Sequence, residues 1–390
     1  MVDFSLNEKD REILDEVRKE GVVRRRYSRE YDDNEKMPPA EFPEAKDFDY
    51  IRTMMGKRHG YEGACTPGIF GMLNSFQTHA GEPMLTLRAP GAGIGNVALG
   101  AMGTPEQVKK WGHLQVAFAN TEPGCGSDSK AIETTAVLDG DQWVLNGEKI
   151  FVSNGVTCGA AVVFATLDKS AGRGAIKAFL VERDAPGFEF VKKEHKMGLR
   201  VSDTAGYVLK DCRIPRENIL GLDEEIKTGG GGFKGVMKTF NLTRPSVAAV
   251  SIGELMGCLE MVQEALEKEG IEVNWETGLH RTSAAQQKLI ELESLLEAGI
   301  LTILRAVWLM DCGQPNNVES SVCKAKGGDC ARRGVQLAVE LLGSLGITHD
   351  TLVEKLFRDA RVGDIYEGTG EIQRLVVARA MLGYSSADLM

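Results

Sequence analysis

Residues 134–155 read TTAVLDGDQWVLNGEKIFVSNG, short runs of Thr, Val, Ile and Phe broken by Asp139-Gly140, Asn146-Gly147 and Asn154-Gly155. Asp-Gly and Asn-Gly pairs supply the positive φ angles that tight hairpins require, and the β-branched and aromatic residues between them fit a pleated sheet. The same texture continues through AAVVFAT (160–166), IKAFLVE (176–182), FEFV (188–191) and GYVL (206–209). The stretch therefore predicts an antiparallel β-domain from about residue 118 to 225.

Both flanks have a helical texture. Leu6, Ile13, Leu14 and Val17 recur among charges and predict a helix over 5–20. Prolines at 38, 39, 43, 67, 83 and 90 interrupt the next stretch, which predicts short helices joined by loops over 28–95. TPEQVKKWGHL (104–114) reads as a helix start, with Thr104 as N-cap, Pro105 at the first helical position and Gln107 closing a capping box. Beyond the glycine run 229–232 the pattern predicts long helices at about 234–268, 283–311 and 317–343, then two shorter ones. In QKLIELESLLEAGILTILRAVWLMD (287–311), Leu289, Leu292, Leu296, Ile300, Ile303 and Val307 share one helical face. The expected fold is α+β and multidomain: a helical domain over 1–117, a β-domain over 118–225 and a four-helix bundle domain over 226–390.

Composition narrows the function classes. The chain has 390 residues, 43% hydrophobic and 26% charged, ordinary for a globular protein with a large core. A net charge of −10 argues against a nucleic-acid surface. The eight cysteines show no C-x-x-C pair and no histidine at metal-ligand spacing, so reduced thiols and no metal are expected. The N-terminus has neither an apolar signal core nor an Arg/Ser-rich transit texture, and no run approaches about 18 apolar residues. A cytoplasmic location and no membrane span are expected.

GAGIGNVALG (91–100) fails as a dinucleotide fingerprint, because Asn96 takes the third glycine position and no strand precedes it; it reads as a plain loop. Four polar segments remain: FANTEPGCGSDS (118–129), KIFVSNG (149–155), TFNLTRP (239–245) and IYEGTGEIQR (365–374). In the first, Pro123, Gly124 and Gly126 keep the backbone open, so that its amides and the hydroxyls of Thr121 and Ser127 can approach a planar or anionic ligand; a simple turn fits equally. Arg244, opening an otherwise apolar helix, reads either as a bidentate clamp for phosphate or as an ion-pair partner. Phe118 and Phe151 read as covers for a flat ring or as core. Glu367 follows Ile365 and Tyr366 and precedes a glycine, in a non-helical joint. A partly desolvated carboxylate there has a raised pKa and is poised as a general base, a role worth roughly 10²- to 10⁴-fold in rate. A helix N-cap or surface acid is the other reading, and Glu371 fits that one.

Taken in order, ANTEPGCGSD, LNGEKIFVSNG, HKMGLRVSDTAGYVLKDCRIPRENILG, TFNLTRPSVAA and RDARVGDIYEGTGEIQRLVVAR resemble the acyl-CoA dehydrogenase family from about residue 97 onward. The resemblance implies a noncovalent FAD between β-domain and bundle, with an acyl-CoA thioester against its ring. It implies Glu367 as the base that removes the pro-R α-proton while the β-hydrogen leaves as hydride to flavin N5. The Glu367 amide and a ribityl hydroxyl then hold the thioester oxygen. It further implies flavin contacts from Phe118, Asn120, Thr121, Gly126 and Ser127, with Ser127 also touching CoA. Phe151 stands where tryptophan is common and Ser153 where threonine is common, with Val152 between them. Asn241, Thr243 and Arg244 are implied at the CoA nucleotide, with Arg379 a further candidate. Tyr366 and Gly368 are implied at the thioester, and Thr369 and Glu371 at the cofactor.

Some positions depart from the family pattern. The usual R-x-x-F-G is replaced within NWETGLHRTSAAQQ (274–287), where Arg281 or His280 is the available substitute. Glu340 and Ser344 in VELLGSLG (339–346) replace a glutamine and a second glycine, leaving Glu340 and Gly343 as candidates for a cross-subunit cofactor contact. The expected activity is FAD-dependent acyl-CoA dehydrogenation by a homotetramer or dimer, with electrons passed to an electron-transfer flavoprotein. The alternatives are an enoyl-CoA reductase or an oxygen-using oxidase on the same site, or a cofactor-poor partner subunit of a heteromeric dehydrogenase. The first 95 residues match the family poorly, so the acyl chain is not specified.

Overall fold

The computed structural model describes residues 4–36, 65–84, 93–226, 231–271 and 278–384. Pro38, Pro39, Pro43, Pro90, Gly229, Gly230 and residues 274–277 lie outside the described residues, as does most of the loop-rich stretch predicted over 28–95.

Helix α1 (Glu8–Asn34) starts at Asn7, whose side chain accepts from the Asp10 amide while Asp10 accepts from the Asn7 amide. It runs well past the predicted end at residue 20, because Gly21 is a contact site and no breaker: a Cβ there would lie 2.8 Å from the Gln77 carbonyl oxygen in α2 (Pro67–His79). Next come α3 (Ile94–Met102) and α4 (Pro105–Trp111), the latter with the Thr104–Gln107 capping box read from the sequence. GAGIGNVALG is thus helical from Ile94 onward, which corrects the loop reading. Gly95 lets α3 press on the first strand, where a Cβ would strike the carbonyls of Val116 and Ala117.

The middle of the chain forms one seven-stranded sheet: β1 (Val116–Ala119), β2 (Thr135–Asp139), β3 (Gln142–Ser153), β4 (Ala160–Thr166), β5 (Ile176–Glu182), β6 (Phe188–Lys193) and β7 (Thr204–Pro215). Its order is β1-β4-β2-β3-β7-β6, with β5 on the other edge of β4. The sheet is mixed rather than antiparallel, since β1 runs parallel to β4 and β2 meets β4 in parallel at Thr135 and Thr166. The three glycine dipeptides have three different roles. Asp139-Gly140 closes the β2–β3 hairpin. Asn146-Gly147 lies inside β3 at a register shift against β7, where a Cβ on Gly147 would strike Thr134 and the Asn146 side chain bridges to Asp211 at 3.2 Å. Asn154, with φ 59°, ends β3. Trp143, Leu145, Val152, Phe179 and Tyr207 fill the sheet's core.

The C-terminal part packs three long helices, α5 (Gly231–Lys268), α6 (Ala284–Asp311) and α7 (Asn317–Leu342), with two short ones, α8 (Val353–Ala360) and α9 (Gly370–Met381). The predicted α6 face is the buried one, with Leu289, Leu292, Leu296, Ile303 and Val307 in the core and Ile300 packed against it. Within α5, Thr239–Lys268 is long and apolar enough to cross a membrane, but 67% of its most apolar window is buried, as a central bundle helix requires. Pro245 sits inside α5. It cannot donate to the Asn241 carbonyl four residues earlier, and the Ser320 hydroxyl of α7 supplies that bond at 3.0 Å. Beneath the bundle Lys355 Nζ lies 2.6 Å from Glu82 and 2.8 Å from Asp359, and Asp359 also accepts from the Leu199 amide at 2.6 Å. Those bonds tie α8 both to the segment after α2 and to the β-domain.

Candidate active site

Thr369 caps α9, its hydroxyl accepting from the Ile372 amide at 3.3 Å. The helix therefore begins after the Tyr366-Glu367-Gly368 joint, and Glu367 is not an N-cap. Its φ of 54° is left-handed, unusual for a glutamate, and Gly368 follows at φ 91°. The buried Gln373 of α9 holds this strained joint by donating from Nε2 to the carbonyls of Glu367 and Gly368, each at 3.1 Å. A Cβ on Gly368 would collide with that same amide, so the glycine is required by Gln373.

The joint aims Glu367 at α5. Thr243 Oγ1 lies 2.5 Å from Glu367 Oε2, while the buried Oε1 has no hydrogen-bond partner among the described residues. Burial pushes the Glu367 pKa up to about 7, against the opposing pull of the Thr243 hydroxyl and the positive charges of Arg244 and Lys324. A carboxylate that is half ionised near neutrality, with one oxygen unpartnered, is suited to accept a proton.

Arg244 lies within α5 rather than at its start and is only 2% exposed. Its Nη1 donates to Asn241 Oδ1 at 3.1 Å and Ser321 Oγ at 3.4 Å, and its guanidinium stacks 5.6 Å from the Phe240 ring centroid. Asn241, Thr243 and Arg244 thus lie together on α5 beside Glu367. Tyr366 donates from its hydroxyl to the Val247 carbonyl at 3.2 Å, beside Glu367.

Phe118 joins this cluster from the sheet, 5.0 Å from Phe164 and 5.8 Å from Phe240 between ring centroids. Two further polar segments meet beside it, because the Ile150 amide donates to the Thr121 carbonyl at 2.9 Å and Lys149 Nζ to the Asn120 carbonyl at 3.2 Å. Below them the buried Lys149 and Glu122 pair at 2.7 Å. Burial alone would raise Glu122, but Lys149, Thr134 and the Glu133 amide outweigh it and hold the carboxyl below its usual range. Gly124, Gly126 and Ser127 lie exposed on the resulting loop.

Phe151 is 60% exposed at φ 55°, a strand residue whose ring is turned out of the core. An outward aromatic on the strand bonded to the 120–127 loop, with Ser153 on the same face, fits a planar cofactor. Val152 is wholly within the sheet core, so only its backbone can face a ligand.

Other predicted residues lie elsewhere. Glu340 is exposed and paired with Lys288 at 2.5 Å, sixteen residues beyond Lys324 and so about 24 Å along α7. Gly343, with φ 57°, ends that helix. Neither reaches Glu367 within one chain. Arg379 donates to the Tyr384 carbonyl at 3.1 Å near the end of α9, and Glu371 is exposed in its first turn. His280 and Arg281 are exposed in a short turn before α6.

Sequence reading missed four supporting residues. Gln373 looks like an ordinary polar helix residue, and Glu122 and Lys149 carry no spacing signal. Lys324 had one signal, a lone lysine on a helix face of small residues including Ser320, Cys323, Gly327 and Gly328.

Comparison with known proteins agrees with this architecture. The family model for the acyl-CoA dehydrogenase middle domain matches residues 117–212, and that for the acyl-CoA dehydrogenase C-terminal domain matches residues 230–382. The short-chain specific acyl-CoA dehydrogenase of Mus musculus mitochondria is 37% identical over 286 residues, covering 72% of this chain and 67% of the relative. The acryloyl-CoA reductase (NADH) of Anaerotignum propionicum is 34% identical over 268 residues, covering 68% and 66%. The butyryl-CoA dehydrogenase structure from Megasphaera elsdenii superposes with a TM-score of 0.83 at 28% identity, covering 98% of this chain and 100% of that one. The chain belongs to the acyl-CoA dehydrogenase family, a family of flavin-dependent enzymes, and is an oxidoreductase of acyl-CoA.

Proposed function

We propose that this chain is an FAD-dependent acyl-CoA dehydrogenase in which Glu367 removes the α-proton of the thioester and the electrons pass on to an electron-transfer flavoprotein. The observation that carries the reading is the state of Glu367, buried at Oε1, bonded to Thr243 at Oε2 and titrating near 7. Above that pH the carboxylate is ionised, and its free oxygen can take a proton. Arg244 and Lys324 favour the ionised form, and Thr243 donates to it.

A proton gained by Glu367 needs no movement of the chain. With the proton on Oε1, Oε2 still accepts from Thr243; were it on Oε2, the Thr243 hydroxyl could turn its hydrogen to the Thr239 carbonyl 3.2 Å away and accept instead. Phe118, Thr121, Ser127, Phe151 and Ser153 are the residues that would hold FAD. FAD, when bound, supplies the acceptor for the β-hydrogen and its two electrons. Gln373 keeps the Glu367 backbone in its left-handed turn, so the base stays aimed without loop motion.

The relationship to an acryloyl-CoA reductase favours a second reading, in which protonated Glu367 delivers its proton to the α-carbon of an enoyl-CoA. A group titrating near 7 populates both forms at neutral pH. Anaerobic mixing of the FAD-loaded protein with a panel of acyl-CoAs, short chains first, tests the dehydrogenase reading through bleaching of the flavin. Glu367→Gln is expected to abolish the bleaching, and an unchanged rate overturns the assignment of the base. Enoyl-CoA mixed with pre-reduced protein tests the reductase reading.

A further inference from the structure

Lys324 lies on α7, is 1% exposed, and its Nζ has no hydrogen-bond partner among the described residues. A lysine so placed is rare without a paired acid, since burying an ammonium is unfavourable. Packing does not require it, because a methionine would fill the same volume. α7 is close here to the chain leading into the base: a Cβ on Gly328, one turn beyond Lys324, would lie 2.8 Å from the Gly363 carbonyl oxygen. Nζ stands 5.9 Å from the Tyr366 ring centroid, beside Glu367 in sequence.

The charged groups facing Lys324 come from three directions. Asp364 lies in the turn before the joint, Glu367 and Glu371 in the joint and the start of α9, and Arg244 on α5. Arg244 is already bonded to Asn241 and Ser321, whereas Lys324 is held only by the field of its neighbours.

We propose that Lys324 is a positioning residue for Glu367, a buried cation on α7 that holds the carboxylate in its ionised form. The inference rests on the reading of Glu367 as the base. Arg244 and Lys324 both favour the ionised form of Glu367. Directions agree with this: burial lowers the Lys324 pKa to about 8, so the amine is still charged in the range where Glu367 titrates.

The test compares Lys324→Met, Lys324→Arg and Glu367→Gln in the FAD-loaded protein. For Lys324→Met, the acid limb of the pH profile of kcat/KM is expected to move up by about one pH unit, a tenfold loss below the midpoint. Lys324→Arg is expected to keep the wild-type midpoint. A readout independent of turnover is the ¹³C-carboxyl resonance that disappears in Glu367→Gln, whose titration midpoint should rise likewise. An unmoved midpoint in Lys324→Met, with activity lowered evenly across pH, overturns the inference and leaves Lys324 a structural partner of Asp364. Full activity in Glu367→Gln instead overturns the reading of the base, whatever Lys324 does. Should Lys324→Met fail to fold, the carboxyl titration of Lys324→Gln decides by the same two outcomes.

Discussion

Thr243 Oγ1 stands 2.5 Å from Glu367 Oε2 and 3.2 Å from the Thr239 carbonyl oxygen, with one hydrogen to give to either. Donated to Glu367, it stabilises the carboxylate; turned to Thr239, it leaves Oγ1 free to accept from the carboxylic acid. Thr243→Val removes the hydroxyl at nearly constant volume, and the charged form loses more than the neutral acid because bonds to an ionised group are the stronger ones. The expected outcome is an acid limb of kcat/KM moved up by about one pH unit. Thr243→Ser, which restores the hydroxyl, should return the wild-type profile.

The raised pKa of Glu367 also has a sign for stability. Its folded pKa of about 7 exceeds the ordinary carboxylate value, so between roughly 4.5 and 7 the folded state holds more protons than the unfolded one. Stability contributed at this site is therefore lost as pH rises through that window. Glu367→Gln should raise the melting temperature at pH 8, corresponding to about 1–3 kcal/mol, with the difference vanishing near pH 4. Calorimetric scans across that pH range would show it, and a constant difference at all pH values would contradict it.

Gly368 and Gly126 should respond differently to alanine. The first has φ 91° and meets Gln373, while a Cβ at the second meets nothing within 4 Å. Gly368→Ala is expected to cost about 1–3 kcal/mol and to lower kcat/KM by about tenfold or more by moving the base. Gly126→Ala should change stability by less than about 0.5 kcal/mol. Urea unfolding of both variants measures the contrast.

Lys149 and Glu122 support the 120–127 loop from inside, and each is buried. Lys149→Met leaves the Glu122 carboxylate without its cation and should destabilise by about 3–5 kcal/mol. The double variant Lys149→Met/Glu122→Gln should recover part of that loss. A double-mutant cycle by denaturation reads the coupling, and additivity of the two single losses would show that the pair is not a unit.

Local signals in the chain determined the local structure. The Thr104–Gln107 box, the apolar face of α6 and the Asp139-Gly140 hairpin are all formed by residues within a few positions of each other, and all stand as read. The five motif segments likewise determined the family, because they leave short linear traces in the chain. Asn146-Gly147 shows the limit of such signals, because its dipeptide matches a turn, yet the long run of β3 against β7 absorbs it as a bulge.

Tertiary structure decided what surrounds Glu367. Thr243 and Glu367 are 124 residues apart in the chain, and their bond exists only because α5 packs beside the α9 joint. Arg244 opens a helix by its sequence pattern but lies buried within α5, which continues through Pro245 because Ser320 of α7 replaces the lost bond. Gln373 and Lys324 acquire their roles in the same way. Burial and long-range contact set the proton affinity of Glu367, and both come from helices that the sequence can propose one by one but cannot place against each other.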